Sequence, residues 1–150
     1  VGLMDERLKV NQDDEFHYRL NARGHKILMI PEISSVYYVR STYVGLFKQY
    51  FKYRLFKPLV LKKIKSAIRL RHLIPAFFCL YLLSLPFALF FHPWIIFLFM
   101  YLLLIFVAAI NTQENFNTKI YSIPAFFILH ISYGVGFLLG LSKAVQSKNN

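Results

Sequence analysis

The chain has little of what an ordinary secreted or soluble domain contains. Its 150 residues include one cysteine, Cys79, which excludes a disulfide framework. Charged residues make up only 17% of the chain, below the share of about 25% in typical globular domains. Only seven residues are acidic, and six of these lie within the first 32 positions. Apolar residues make up 57% of the chain and aromatic residues 18%. This composition excludes intrinsic disorder.

The positive charge is concentrated in one band. Residues 40–71 contain ten lysines and arginines and no acid, whereas residues 73–110 contain no Asp, Glu, Lys or Arg. The net charge of +11 therefore lies next to an apolar segment. Basic amphipathic helices in this position are typical of a membrane surface, where cations face lipid headgroups. A solvated helix face is the alternative, and nucleic acid is not predicted as a partner because it explains nothing of the apolar segment.

Apolar runs predict a transmembrane region of two to three segments. Residues 73–91 and 94–110 form a predicted helical hairpin, since the first run is long enough to cross a hydrocarbon core of about 30 Å. A third uncharged run, residues 120–142, is interrupted by proline and glycine. It is a third span, a re-entrant segment or an interfacial segment. Gly136 and Gly140 within it have the spacing that lets helix backbones approach closely.

The first 40 residues predict a piece of an α/β domain. Asp13 can cap a helix that Gly24 ends, and residues 26–30 and 36–40 have the composition of short buried strands. About 40 residues cannot enclose a core, so these elements need partners elsewhere. We therefore expect the chain to be the C-terminal part of a longer protein.

One candidate catalytic group lies at the start of this predicted helix. Asp13, Asp14 and Glu15 are consecutive, and a carboxylate among them can act as a general base if a substrate hydroxyl comes within hydrogen-bond reach. Helix capping and favourable interaction with the positive helix end explain the same acids without catalysis. A metal site is disfavoured, because consecutive helical residues point in different directions.

A second candidate group lies in the basic band. Gln49, Lys52, Tyr53 and Arg54 combine aromatic and basic side chains, which suit either a diphosphate or the lipid headgroup layer. The five histidines are scattered, and none lies at metal-ligand spacing from a second ligand. No metal-binding residue is predicted within these 150 residues.

Several motifs, taken together, resemble the C-terminal portion of a family 2 glycosyltransferase. They are residues 2–8 (GLMDERL), 11–20 (NQDDEFHYRL), 49–53 (QYFKY), 71–75 (RHLIP) and 130–136 (HISYGVG). Their order and spacing are most similar to membrane-bound enzymes of the succinoglycan-biosynthesis type. The resemblance covers nearly the whole chain.

The resemblance implies a role for each candidate residue. Asp13 matches the aspartate that deprotonates the acceptor hydroxyl in inverting transfer, with Asp14 and Glu15 as alternatives. Residues 49–53 stand where related enzymes carry a Q-x-x-R-W motif, which implies that Gln49, Lys52, Tyr53 and the adjacent Arg54 bind the acceptor or its diphosphate. A divalent metal, Mg²⁺ or Mn²⁺, is also implied, with ligands outside this chain.

The resemblance also implies three regions and a location. Residues 1–40 would end a GT-A-like catalytic domain, residues 41–72 would form membrane-interface helices, and residues 73–150 would form the transmembrane region. The protein would lie in a bacterial inner membrane with residues 1–72 in the cytoplasm.

The implied reaction is transfer of a sugar from a nucleotide sugar to a lipid-linked or polysaccharide acceptor during exopolysaccharide or surface-glycan synthesis. Membrane lipids are further expected partners, and the 150 residues alone are expected to be inactive without a nucleotide-binding half. The alternative is a small non-catalytic membrane anchor or assembly protein with a basic cytoplasmic face. A transporter is disfavoured because the spans contain no charged residues.

Overall fold

A computed structural model describes residues 1–6, 8–63 and 72–146. Its helices are α1 (Gln12–Ala22), α2 (Tyr43–Lys63), α3 (Ile74–Ser84), α4 (Ile96–Ile110) and α5 (Phe116–Gln146). Short 3-10 helices, Leu85–Leu89 and His92–Ile95, connect α3 to α4. Three parts of the sequence discussed above lie outside the described residues. They are Arg7 of the first motif, Arg71 at the start of residues 71–75, and residues 64–70 of the basic band.

The predicted α/β fold is wrong. The described residues form helices and no β-strand, and the two predicted strands at residues 26–30 and 36–40 are irregular. Their side chains are exposed, with Met29 at 88% and Tyr38 at 86% of full exposure. A strand forms when a neighbouring strand takes up its backbone N–H and C=O groups, and no other described segment does this here. Residues 1–40 are therefore not a GT-A-like fragment in this structure but helix α1 with irregular flanks.

Helix α1 begins two residues earlier than the sequence predicts and ends where it predicts. Asn11, not Asp13, occupies the capping position, and its side-chain amide donates to the Tyr53 carbonyl at 2.7 Å instead of capping. At the other end Gly24 has a φ of 79°, a conformation that favours glycine. Its N–H donates to the Asn21 carbonyl at 3.0 Å, which closes the helix. The Asn11 contact also ties α1 to α2.

Helix α5 is the element around which α2, α3 and α4 pack. It is 31 residues long, and α2, α3 and α4 all contact it. Helices α2 and α5 run side by side in the same direction. The Tyr43 hydroxyl donates to the Tyr121 carbonyl at 3.0 Å near their starts, and Lys62 Nζ donates to the Ala144 carbonyl at 2.8 Å near their ends.

Glycines on α5 bring these backbones close together, as the spacing of Gly136 and Gly140 predicts. A β-carbon at Gly136 would lie 2.6 Å from the Phe51 carbonyl oxygen, and one at Gly140 would lie 2.5 Å from that of Leu55. Both positions face α2, while Gly134 faces α3. Despite its glycines and an internal proline, α5 is continuous.

Two helical segments are long and apolar enough to cross a membrane. They are His92–Ile110, with 19 residues, and Phe116–Ala144, with 29 residues. The shorter apolar stretch Ile74–Leu89 precedes them. Large apolar side chains on these segments are exposed, for example Leu83 at 75% and Leu104 at 65%. This length and composition suit a lipid environment.

Candidate functional site

The first candidate site is a cleft of about 760 Å³ between the start of α1 and the middle of α2 and α5, which we name the acid cleft. It brings Asp13 and Asp14 of the first predicted group together with Tyr53 and Arg54 of the second. Its lining residues are Met4, Val10, Asn11, Gln12, Asp13, Asp14, Tyr18, Tyr53, Arg54, Lys57, His72 and Tyr133. The two groups are about 40 positions apart in sequence, so only the packing of α1 on α2 unites them.

The three consecutive acids have different surroundings. Asp14 accepts a hydrogen bond from Lys57 Nζ at 2.7 Å. Glu15 is buried, accepts from Arg19 Nε at 2.8 Å, and does not line the cleft. Asp13 is exposed in the cleft, and none of the described residues forms a hydrogen bond or ion pair with it. Of the three acids, Asp13 is thus the one whose carboxylate remains accessible in the cleft.

Lys57, one of the cations of the basic band, also lines the acid cleft. Its side chain is 7% exposed, and its ammonium lies 5.5 Å from the centre of the Tyr18 ring as well as against Asp14. A buried ammonium is costly without such partners. Lys57 therefore holds the first turn of α1 against α2.

Tyr133 is the residue that sequence reasoning missed as part of the site. The Arg54 guanidinium lies 4.1 Å from the centre of the Tyr133 ring, a cation–π contact across α2 and α5. Tyr133 also meets the Tyr50 ring edge to face at 5.1 Å. Burial, and then the nearby hydroxyls of Tyr133 and other tyrosines, raise the pKa of Tyr50. Gly134 and Gly136, which follow Tyr133 and allow helices to pack closely, were the signal in the sequence that could have indicated its position between helices.

A second cleft of about 690 Å³, which we name the cation cleft, adjoins the first along α2. Gln49 and Lys52 line the cation cleft, Arg54 lines the acid cleft, and Tyr53 lines both. The structure thus divides the predicted binding residues between two neighbouring clefts. The complete lining of the cation cleft is Val10, Tyr37, Arg40, Thr42, Gly45, Lys48, Gln49, Lys52 and Tyr53.

The divalent metal implied by the family resemblance has no ligand set among the described residues. No group of three His, Cys, Asp or Glu side chains within the described ranges lies close enough together to hold a metal ion. Two of the three acids at α1 are already paired with cations, namely Asp14 and Glu15.

Part of the chain matches a known polysaccharide-biosynthesis protein. The succinoglycan biosynthesis protein ExoA of Rhizobium meliloti is 47% identical over 53 residues. The chain is related to that protein. The match covers 35% of this chain and 16% of ExoA. No family model matches the chain, and neither does any solved structure.

Proposed function

We propose that the protein is a membrane-bound family 2 glycosyltransferase of the succinoglycan-biosynthesis type. It would transfer a sugar from a nucleotide sugar to a lipid-linked or polysaccharide acceptor in exopolysaccharide or surface-glycan synthesis. The observation that carries the proposal is Asp13, an accessible carboxylate in a cleft that α2 and α5 line with the basic and aromatic side chains of Tyr53, Arg54, Lys57 and Tyr133. The partial identity to ExoA supports the same reaction class.

Asp13 is the proposed general base. Its carboxylate would take the proton of the acceptor hydroxyl while that oxygen forms a bond to the anomeric carbon of the donor sugar. The bond from that carbon to the nucleoside diphosphate would break, and the diphosphate would leave with the electron pair. Asp14 and Glu15 are less suited, because each is held by a cation.

Acceptor binding is proposed for Gln49, Lys52, Tyr53 and Arg54. Arg54 and Tyr53 stand in the acid cleft beside Asp13, where they can orient the sugar that carries the attacking hydroxyl. The nucleotide sugar and its divalent metal, Mg²⁺ or Mn²⁺, would be bound by residues other than those described. The metal's contribution would be to neutralise the leaving diphosphate.

We propose that the apolar segments 73–91 and 94–110, which contain α3 and α4, cross the bacterial inner membrane and that α2 and α5 lie together at its cytoplasmic surface. Lys48, Lys52 and Lys62 are exposed on α2, which packs along most of α5. A lysine at the bilayer centre costs about 2.5–3.5 kcal/mol. If α5 crossed the membrane, α2 would cross beside it and bring several lysines into the bilayer. The basic band would keep residues 1–72 cytoplasmic.

Replacement of the proposed base tests the function. Asp13→Asn keeps the size of the side chain but removes the proton acceptor, so we expect turnover to fall by about 10²- to 10⁴-fold with normal expression and membrane insertion. The assay is transfer of labelled sugar from nucleotide sugars to membrane-extracted acceptors by the protein expressed from its complete natural gene.

Glu32→Gln is the matched control, since Glu32 is exposed and lines none of the described clefts. It should transfer sugar at the wild-type rate. Full transfer by Asp13→Asn would refute the assignment. If Asp14→Asn were inactive instead while it kept the wild-type melting temperature, the base would be Asp14. A complete lack of transfer by the wild type would favour the non-catalytic anchor.

A further inference from the structure

We propose that Arg19 is a positioning residue, which holds the segment before α1 in place so that Met4 forms one wall of the acid cleft. This role rests on the proposed function, because the cleft that it shapes is the proposed site of sugar transfer. Met4 lines the acid cleft, yet residues 1–5 are irregular, so helical hydrogen bonds do not fix its position. Its position depends instead on the contacts that α1 makes with this segment.

The Arg19 guanidinium joins α1 to this segment through all three of its nitrogen atoms. Nε donates to Glu15 Oε1 at 2.8 Å, within α1. Nη2 donates to the Leu3 carbonyl at 2.7 Å, and Nη1 donates to the Val1 carbonyl. Because the guanidinium is planar and its donors have fixed directions, one side chain holds both carbonyls at a set distance from the helix.

Glu15 and Phe16 keep Arg19 in this orientation. The Glu15 side chain is 4% exposed, and its Oε2 has no hydrogen-bond partner among the described residues. A buried carboxylate is costly without a cation, so the ion pair with Arg19 is strongly favoured. The guanidinium also lies 5.3 Å from the centre of the Phe16 ring. With Nε engaged in this way, the two Nη atoms face the segment before the helix.

The contact reaches the acid cleft through one residue. Leu3, whose carbonyl Arg19 holds, directly precedes Met4, and Met4 lines the same cleft as Asp13. Met4 is 51% exposed, so packing alone does not hold its side chain. Without the Arg19 contacts Met4 would leave the wall, whereas Asp13 would keep its place on α1. We therefore expect Arg19 to affect the affinity for a bound acceptor and to have little effect on its rate of reaction.

The first experiment measures the kinetics of sugar transfer by Arg19→Lys. Lysine keeps a cation for Glu15 but has one nitrogen atom in place of three, so it cannot hold both carbonyls as well. We expect the KM for acceptor to rise roughly 10-fold, the loss of one apolar contact, with kcat changed by less than about twofold. Met4→Ala should give the same rise, and the double variant should give no more, because both changes remove one contact. The control Arg23→Lys, at an exposed position outside the clefts, should keep the wild-type KM.

A second experiment needs no turnover and so separates this proposal from the proposed function. A nitroxide spin label is attached to Met4→Cys, and the spectrum of labelled protein without this substitution is subtracted. The label should be restricted when Arg19 is present and mobile in Arg19→Lys. Arg23→Lys should leave the label restricted. If the wild type transferred no sugar, the proposed function would fail, while the label would still decide whether Arg19 holds the segment.

Three results would overturn the proposal. An equally restricted label in Arg19→Lys would show that Arg19 does not hold the segment. A mobile label with an unchanged KM would show that Met4 does not contribute to acceptor binding. A double variant whose KM rose by the product of the two single effects would show that Arg19 does not act through Met4.

Discussion

Gly136→Ala perturbs the contact on which the acid cleft depends. The added β-carbon would lie 2.6 Å from the Phe51 carbonyl oxygen, 0.8 Å short of the 3.4 Å at which ordinary contact begins. It would also lie 3.2 Å from Arg54 Cβ. Because one of these atoms belongs to the backbone, α2 must move away from α5. Arg54 would then move relative to Tyr133, which lies on the other helix.

Two opposing effects set the change in stability. Overpacking a close contact costs about 1–3 kcal/mol, and alanine is about 1 kcal/mol more favourable than glycine within a helix. We expect a net loss of about 1 kcal/mol. The effect on sugar transfer should be larger in proportion, since a displacement near 1 Å at a reacting group can cost about 10²-fold in rate.

Cys79 supplies the assay for stability. It is the single cysteine of the chain and is 6% exposed between α3 and α5, so a thiol-reactive dye labels it only when these helices separate. The dye should report a lower melting temperature for Gly136→Ala than for the wild type. Ser142→Ala, at an exposed position on the same helix, is the control and should melt at or slightly above the wild-type temperature.

A higher melting temperature for Gly136→Ala, together with undiminished sugar transfer, would refute the reasoning. It would show that helix propensity outweighs the contact and that α2 and α5 do not approach as closely as described.

Two further predictions concern the same cleft. Because Lys57 is 7% exposed and Asp14 is 49% exposed, Asp14→Asn leaves a buried ammonium and should cost about 3 kcal/mol, whereas Lys57→Met leaves a hydrated carboxylate and should cost about 1 kcal/mol. Melting of the two variants measures this difference, and the reverse order would contradict it. Tyr133→Phe keeps the ring that faces Arg54 and should transfer sugar normally, whereas Tyr133→Leu should raise the KM for acceptor by about 3- to 30-fold. Equal losses in the two would assign the effect to the hydroxyl group.

The sequence predicted features that depend on neighbouring positions. Helix α1 with its Gly24 terminus and the close approach at Gly136 and Gly140 follow from residue types three or four positions apart. The segregation of charge and apolar runs along the chain is also visible in the sequence itself. Strands at residues 26–30 and 36–40 could not be predicted in this way, because a strand depends on a partner segment that composition does not specify.

The sequence alone determined the helix that Gly24 ends, the helical character of the apolar runs, and which short groups of residues carry acids, cations and aromatic rings. Only the tertiary structure decided that Lys57 pairs with Asp14, 43 positions away, and that Asp13 remains accessible beside Arg54. It also divided the basic residues of α2 between two clefts and placed Tyr133 against one of them. The physical reason is that a helix is stabilised by contacts within a few residues, whereas a cleft depends on how separate helices approach one another.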